Sequence, residues 1–329
     1  MHAPPRGLVY AIYYAALAAI AVPVNLVAIV ILSRGKCGLS RCITQYLVSM
    51  AVTDLLVIIT AVMLNRLPGI YFPGSFMSIT PVCSLSITVI NASKDSSVWL
   101  TVTFTFDRFV AICCQKLKTK YCTQKTVAWV IGTVCALSCL KNIPWYFLHE
   151  PIYIINNVPW YCTLKETRYT SPIWVAFDCT DRILTPCLPF FLILLLNALT
   201  VRHIVVGSSI RRRLRVNSNA ENQNDPEMEI RRKSIVLLFA ISGAFILLWM
   251  TYAVQFLYEQ FTNDYIIKGF NDPKFILIES ANMLQLLSCC TNTFIYAVTQ
   301  SKFREQLKNM VKHLVENMSK LIKWKRNFQ

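Results

Sequence analysis

The chain has 329 residues, of which 55% are hydrophobic and only 15% are charged. A soluble domain carries about 25% charged residues, so this composition argues against a soluble protein, and it also excludes a disordered one. The formal net charge is +16, which in a membrane protein usually resides in cytoplasmic loops rather than on a nucleic-acid surface. We therefore expect a membrane protein without a nucleic-acid partner.

Seven apolar stretches are long enough to cross a bilayer as helices, since its core of about 30 Å requires about 20 residues. They cover approximately 8–32, 43–65, 82–112, 126–148, 172–206, 234–259 and 274–299. The first stretch is longer than the apolar core of a cleaved signal peptide, so we expect it to be retained as a span. The sequence predicts an all-α membrane protein, a seven-transmembrane helix bundle over 8–299, with a short extracellular segment, 1–7, and a cytoplasmic tail, 300–329.

The distribution of lysine and arginine predicts the direction of the chain. If the N-terminus is outside, 23 of the 33 basic residues fall in the inner segments 33–42, 113–125, 202–233 and 300–329. Basic loops remain on the cytoplasmic side of a membrane. We therefore expect a multi-pass protein of the plasma membrane with its N-terminus outside.

Motifs for enzymatic chemistry are absent from the sequence. There is no HExxH, no GxGxxG after a strand and no GxxxxGK[ST], and most of the 13 cysteines lie in apolar stretches, where a free thiol behaves as a small hydrophobe. No paired acid and base or activated nucleophile is evident. We expect neither an enzyme nor a cofactor, with one possible ion considered below.

Ionisable residues inside a span are costly and usually functional. Asp54 lies near the middle of the second span, and Asp107 and Arg108 lie at the inner end of the third. In chain order, LVSMAVTD ends at Asp54, TFDRFVAIC surrounds Arg108, FILLW ends at Trp249, and NTFIY runs from Asn292 to Tyr296. In this order of motifs the chain resembles a class A (rhodopsin-like) G-protein-coupled receptor over nearly its whole length.

The resemblance implies a conformational switch and a disulfide. The switch residues that contact or communicate with a heterotrimeric G protein would be Asp107, Arg108, Trp249, Asn292 and Tyr296. The disulfide would join Cys83, at the outer end of the third span, to Cys162 in the loop after the fourth. The chain departs from the family pattern at Arg231, where an acid often holds the arginine corresponding to Arg108.

The resemblance also implies an allosteric sodium ion at Asp54. Ser97, Ser288 and Asn292 match the family's polar neighbours of that ion. A hard cation prefers such oxygen ligands. The alternative is a carboxylate that only accepts hydrogen bonds in the core.

In the family, the ligand binds between the outer halves of the third, fifth, sixth and seventh spans. The residues expected there are Lys94, Asp95, Asp181, Arg182, Tyr252, Phe256, Glu279 and Asn282. The runs SVWLTVTFTFDRFVAIC, NIPWY and ANMLQLL are similar to an orphan branch reported to sense aromatic amino acids, which is related to neuropeptide receptors. We expect a neuropeptide or a small zwitterion, unless these charges serve only internal salt bridges, for example between Lys94 and Asp181.

Two functions remain open at this point. The first is a receptor that transmits the binding of an extracellular ligand to a heterotrimeric G protein. The alternative is a membrane transporter or channel. The absence of internal repeats and the Asp107-Arg108 pair at an inner span end favour the receptor.

The tail is predicted to form an amphipathic eighth helix. Apolar residues recur at steps of three and four from Phe303 to Ile322, and basic residues lie between them. Such a helix lies along an anionic leaflet, where each basic residue contributes about 1 kcal/mol. We therefore expect anionic inner-leaflet lipid as a partner, with a calmodulin-type target helix as the alternative.

The isolated peptide 302–329 is expected to become helical on phosphatidylserine vesicles, because its apolar face would be buried and its basic residues attracted. Circular dichroism measures the helix content. Raising the salt concentration should reduce it, since salt screens charges at a surface. Uncharged phosphatidylcholine vesicles are the control and should induce less helix. A peptide that stays a random coil on anionic vesicles would contradict the prediction.

Overall fold

The computed structural model describes residues 5–216, 226–262 and 272–326, and helices dominate it. Seven long helices follow one another along the chain, and an eighth follows the last of them. We label them α1 (Pro5–Ser33), α2 (Arg41–Val57, continued by Ile58–Arg66 and Leu67–Tyr71), α3 (Thr80–Cys113), α4 (Gln124–Asn142, continued by Ile143–Leu148), α5 (Pro172–Arg182, Ile183–Cys187 and Leu188–Val216), α6 (Pro226–Thr262), α7 (Pro273–Thr299) and α8 (Ser301–Arg326).

The predicted all-α membrane fold is confirmed. Each of the seven predicted stretches coincides with one of the helices α1 to α7, and several helices extend a few residues beyond them. Among the described residues, five helical stretches are long and apolar enough to cross a membrane, namely Gly7–Ser33, Arg41–Tyr71, Gln124–Leu148, Pro172–Gly207 and Arg232–Tyr258. The long helices α3 and α7 each contain several buried polar residues.

Local sequence signals explain where several helices begin and bend. Ser40 precedes α2 and its hydroxyl accepts a hydrogen bond from the Ile43 amide at 3.3 Å, which satisfies one of the free amides of the first turn. Asp272 caps α7 in the same way through the Lys274 amide at 3.0 Å. In α5, Pro186 lies in a segment that interrupts the regular helix, as expected for a residue that cannot donate a backbone hydrogen bond.

The loop between α4 and α5 forms short strands that pack over the start of α3. Tyr153–Ile155 pairs with Val158–Trp160, and His149–Glu150 pairs with Thr163–Leu164, both antiparallel. The predicted disulfide between Cys83 and Cys162 is present, with the two Cα atoms 6.2 Å apart. It fastens this loop to α3.

Helices in lipid gain little from the hydrophobic effect between them, so close packing and hydrogen bonds must hold the bundle together. Ala21 and Ala28 of α1 are fully buried and permit close approach of neighbouring helices. Between them, the Asn25 side chain donates to the Cys289 carbonyl of α7 at 2.8 Å. This amide links the first and last spans.

The helix α8 joins the bundle through its first two turns. Phe303 is fully buried, and its ring lies 6.0 Å from that of Tyr296 in an edge-on arrangement. Arg304 donates to the carbonyls of Ala297 and Val298, at 3.1 and 2.6 Å, which satisfies free carbonyls near the end of α7. Further along, the apolar side chains are exposed, at Val311, Val315 and Met318.

Candidate functional site

Asp54 is the centre of a polar cluster inside the bundle. Its side chain on α2 is almost completely buried. Ser97 of α3 donates to one carboxylate oxygen at 2.6 Å, and Asn292 of α7 donates to the other at 2.8 Å. An ionised group in a span needs such donors, because lipid offers none. Three of the four residues predicted for a sodium site are thus in direct contact.

The fourth predicted residue, Ser288, lies at the edge of the same cluster. Its hydroxyl accepts a hydrogen bond from the Trp249 indole at 3.2 Å and donates to the Gln285 carbonyl at 2.6 Å. A cavity with a volume of about 20 Å³ lies between this pair and Asp54. Its lining includes Asp54, Ser97, Trp249, Ser288 and Asn292. A space of this size holds about one water molecule or one small cation.

At the inner end of α3, Asp107 and Arg108 form a buried ion pair. The Arg108 Nε atom donates to Asp107 Oδ2 at 3.0 Å, and Nη2 contacts the same oxygen. The Nη1 atom donates to the hydroxyl of Ser234 on α6 at 3.4 Å. Arg231, singled out in the sequence, lies on α6, and its side chain is not among those that the structure describes. The described contact of Arg108 with α6 is made by a neutral hydroxyl, that of Ser234.

Tyr296 was predicted to belong to the same switch, but it lies apart from this ion pair in the contacts observed. Its side chain is fully buried against Phe303. Among the described residues its hydroxyl has no hydrogen-bond partner. The structure thus places Asn292 and Trp249 at the cavity, Arg108 at the inner end, and Tyr296 in the core beside α8.

A cysteine in the loop after α3 lies next to the ion pair. The Cys122 carbonyl accepts a hydrogen bond from the Cys42 thiol at 3.1 Å. Burial raises the pKa of the Cys122 thiol to about 12, and the nearby Asp107 carboxylate adds to this effect. Only a thiolate is a strong nucleophile, so this shift lowers the reactivity of Cys122 at neutral pH.

In the outer half of the bundle, Lys141 of α4 connects two of the predicted pocket acids. Its ammonium lies 2.6 Å from Asp95 on α3 and 2.7 Å from Asp181 on α5. Asn142 also donates to Asp95 at 2.6 Å. The expected example of an internal salt bridge, Lys94 with Asp181, is therefore wrong, because the ammonium group that contacts Asp181 comes from α4.

A second group of charges joins the outer loop to α5 and α6. Asp178 contacts the guanidinium groups of Arg168 at 2.6 Å and Arg182 at 3.0 Å. The Arg182 guanidinium also lies over the ring of Phe256, 5.5 Å from its centre. Such a position is favourable because the face of an aromatic ring attracts a cation. Two predicted pocket residues, Arg182 and Phe256, are thus neighbours.

A third group links α1, α2 and α7. Glu279 accepts hydrogen bonds from Tyr14 at 2.9 Å and from Arg66 at 3.2 Å. The Arg66 guanidinium also lies over the Tyr14 ring, 5.5 Å from its centre. The sequence pattern indicated Glu279 but neither of its partners. Tyr14 is one of many aromatic residues and Arg66 lies at a span mouth, so neither stands out in the sequence.

Lys94 differs from the other charged residues of the outer half. Its side chain on α3 is half-buried, and among the described residues it is in no ion pair. The charges of Arg66, Asp95 and Glu279 are near enough to act on it, and the first opposes the other two. Tyr252 packs against Trp249, with ring centres 5.9 Å apart. The remaining predicted residue, Asn282, is half-buried on α7.

Replacing Lys141 by Met is expected to destabilise the protein by about 3–5 kcal/mol, because it leaves two carboxylates in the bundle without a counter-ion. Thermal unfolding of the detergent-solubilised protein measures this. Adding Asp95→Asn and Asp181→Asn to Lys141→Met should recover most of the loss, since no unpaired charge remains. The exposed Lys120→Met is the control and should change little. Equal stability of Lys141→Met and the control would refute a stabilising role for this ion-pair network.

Comparison with known proteins agrees with this architecture. Residues 24–296 match the family described as 7 transmembrane receptor (rhodopsin family). The chain is similar to the thyrotropin-releasing hormone receptor of Mus musculus, with 28% identity over 283 residues that cover 80% of this chain and 69% of that protein. The receptors of the same name from Bos taurus and Homo sapiens are 27% identical over 288 residues, covering 80% of this chain and 68% of each.

The family match decides between the functions left open by the sequence. It identifies a receptor, and neither an enzyme nor the alternative of a transporter or channel. Together with the apolar helices it establishes a multi-pass protein of the plasma membrane. The chain therefore belongs to the rhodopsin family of seven-transmembrane receptors.

Proposed function

We propose that this receptor couples an extracellular ligand to a heterotrimeric G protein through Arg108, with its N-terminus outside the cell. The observation that carries this proposal is the arrangement of the Arg108 guanidinium at the inner end of α3. It is buried, yet its contacts are with the adjacent Asp107 and with one hydroxyl of α6. A displacement of α6 would break the contact with Ser234 and alter the surface available to a G protein.

Such a displacement must depend on the ligand, because a signal requires two conformations with different affinities for ligand and G protein. Trp249 of α6 is hydrogen-bonded to α7 through Ser288, and the Asp54 carboxylate joins α3 to α7. These polar contacts can exchange partners, unlike close-packed apolar side chains. We infer that ligand binding above Trp249 changes this network and thereby the inner end of α6.

For the ligand, we propose a peptide or small zwitterion with an anionic group that binds Lys94. The acids Asp95, Asp178, Asp181 and Glu279 each have a basic partner within the protein, whereas Lys94 is in no ion pair among the described residues. A cation left unpaired within a span is costly. An anionic group of the ligand that pairs with Lys94 would therefore contribute strongly to the binding free energy.

The aromatic residues near this region suit the same class of ligand. Trp249, Tyr252 and Phe256 follow one another on α6, and Arg182 lies over Phe256. An aromatic amino acid, the ligand suggested by the resemblance to the orphan branch, combines a ring with a carboxylate and fits this chemistry. The similarity to receptors for thyrotropin-releasing hormone supports the peptide. Each candidate can carry a carboxylate, which would pair with the Lys94 ammonium.

We further propose that a sodium ion binds beside Asp54. The cavity is lined by a carboxylate and by hydroxyl and amide oxygens, which are the ligands that hard cations prefer. Asp54, Ser97, Ser288 and Asn292 would hold the ion, which would supply a positive charge opposite the Asp54 carboxylate. Its binding would favour the conformation in which α3 and α7 both remain close to Asp54.

Anionic inner-leaflet lipid is proposed as a second partner, which α8 would bind. Its outer turns expose Val311, Val315 and Met318. On a basic helix that follows a membrane span, three exposed apolar side chains favour burial in the lipid interface. The vesicle experiment with the tail peptide tests this proposal separately from G-protein coupling.

Arg108→Ala is expected to abolish coupling, because the change removes the guanidinium at the inner end. It also leaves the buried Asp107 carboxylate without its partner, so surface expression is measured and signals are compared at equal surface expression. The assay is calcium release in cells that coexpress a promiscuous G protein, with a panel of peptides and amino acids as stimuli. The exposed Arg34→Ala is the matched control and should signal normally. Undiminished signalling by Arg108→Ala would refute the assignment.

Lys94→Met is expected to weaken the potency of any active anionic ligand by about 10- to 100-fold, the loss expected for a charge-assisted hydrogen bond. Lys94→Arg preserves the charge and should retain most of the potency. The concentration of ligand that gives half of the maximal calcium signal is the measurement. On the unmodified receptor, an amidated or esterified ligand should be less potent than the free acid. Lys94→Met should reduce the potency of the amidated or esterified ligand only slightly further. Equal potency on Lys94→Met and Lys94→Arg would contradict the charge pairing.

A further inference from the structure

Ser234 combines two features that the proposed function leaves unexplained. Its hydroxyl, on the inner part of α6, accepts a hydrogen bond from Arg108 Nη1 at 3.4 Å. In the sequence it directly follows three basic residues, in the run Arg231-Arg232-Lys233-Ser234. Within this run the side chain of Arg232 is exposed and that of Ser234 is half-buried.

The three basic residues before Ser234 are typical of a phosphorylation site. Kinases that select serines by the basic residues before them recognise those residues with acidic surfaces, through ion pairs of the type that fix charged substrates. A serine after three consecutive cations has the chemistry of such a substrate. The structural feature indicates a consequence, because the group that would be modified already lies within hydrogen-bond distance of the arginine proposed to couple to the G protein.

We propose that Ser234 is phosphorylated by a basophilic serine kinase, and that the resulting phosphoserine holds Arg108 and keeps the receptor inactive. The Ser234 hydroxyl oxygen attacks the γ-phosphorus of ATP, the bond to the β-phosphate oxygen breaks, and ADP leaves. The hydroxyl proton passes to the catalytic base of the kinase. The inactivating effect rests on the proposed role of Arg108 in coupling.

The geometry of the guanidinium allows both acids to bind it at once. The Nε and Nη2 atoms of Arg108 face Asp107, whereas Nη1 faces Ser234. The five N–H groups of arginine lie in a planar fork, so different edges can bind different anions. A phosphate carries about two negative charges and three acceptor oxygens. It would therefore replace a weak contact between Arg108 and α6 by a charge-assisted one.

The excess of basic residues in the inner segments also favours a phosphate on this side of the receptor. The segments 113–125 and 202–233 contain 12 lysines and arginines against four acids, Glu221, Asp225, Glu227 and Glu229. A dianion beside Arg108 would be attracted by this excess, and the nearby acid, Asp107, is already paired. The contact between a serine and Arg108 thus becomes an ion pair between α3 and α6 only after modification, which makes the restraint switchable.

The first test is whether the modification forms. The purified full-length receptor is incubated with ATP and the catalytic subunit of cyclic-AMP-dependent protein kinase, and phosphopeptides are identified by mass spectrometry. We expect a phosphate on Ser234 and none at that peptide in Ser234→Ala. Absence of phosphate on Ser234 in the unmodified receptor, under conditions that phosphorylate a standard peptide of this kinase, would overturn the proposal.

The second test asks whether the phosphate binds Arg108, and it requires neither ligand nor G protein. Phosphorylated receptor is expected to unfold at a temperature about 3 °C above that of phosphatase-treated receptor, and Ser234→Glu should shift the temperature in the same direction. In the Arg108→Ala background both shifts should vanish. The exposed Ser319→Glu is the charge-matched control and should have no effect. Equal shifts with and without Arg108 would overturn the proposed contact.

The third test measures the consequence for signalling. In cells that coexpress the promiscuous G protein, Ser234→Glu is expected to reduce the calcium release evoked by the panel of peptides and amino acids at least threefold, and Ser234→Ala should not reduce it. If the thermal shifts depend on Arg108 but Arg108→Ala signals normally, the ion pair exists and the proposed coupling role of Arg108 is wrong. If Arg108→Ala is silent while Ser234→Glu signals normally, coupling stands and the inactivating role of the phosphoserine is refuted.

Discussion

A charged side chain inside a bilayer must find its partners within the protein, because lipid offers neither hydrogen bonds nor a high dielectric. This constraint explains why Asp95, Asp181 and Glu279 contact basic residues of other helices. Lys141 lies between Asp95 and Asp181 and so connects α4 with both α3 and α5. Glu279 connects α7 with α1 and α2 through Tyr14 and Arg66. The charges thus act as links between helices, in addition to any role in binding.

The same constraint separates residues that stabilise the bundle from residues that can respond. Within the outer half, the ion pairs of Asp95, Asp181 and Glu279 are complete without a ligand, whereas Lys94 is in no ion pair among the described residues. At the inner end, Arg108 has a full partner in Asp107 and a weaker one in Ser234. Lys94 and Arg108 both lie on α3, 14 positions apart, which is about 21 Å along a helix. Between them, the polar cavity around Asp54 offers contacts that can rearrange.

Apolar packing provides the frame within which these contacts work. Tyr46, Leu47, Phe104, Tyr296 and Phe303 belong to one buried cluster near the inner side. Because α8 contributes Phe303, its orientation is coupled to the end of α7, and Arg304 reinforces this through the last carbonyls of that helix. The start of α8 is thus fixed to the inner end of α7 by both an apolar and a polar contact.

The sequence alone determined the spans, the residue types that matter inside them, and the disulfide implied by the family resemblance. Long apolar runs permit only one kind of structure in lipid, so the prediction of seven helices needed no tertiary information. The pairing of the charges did not follow from the sequence. Arg66 and Glu279 are 213 positions apart, and Arg108 and Ser234 are 126 apart. Which cation meets which acid depends on the rotation of each helix about its axis, and that rotation is decided by side-chain packing across the whole bundle.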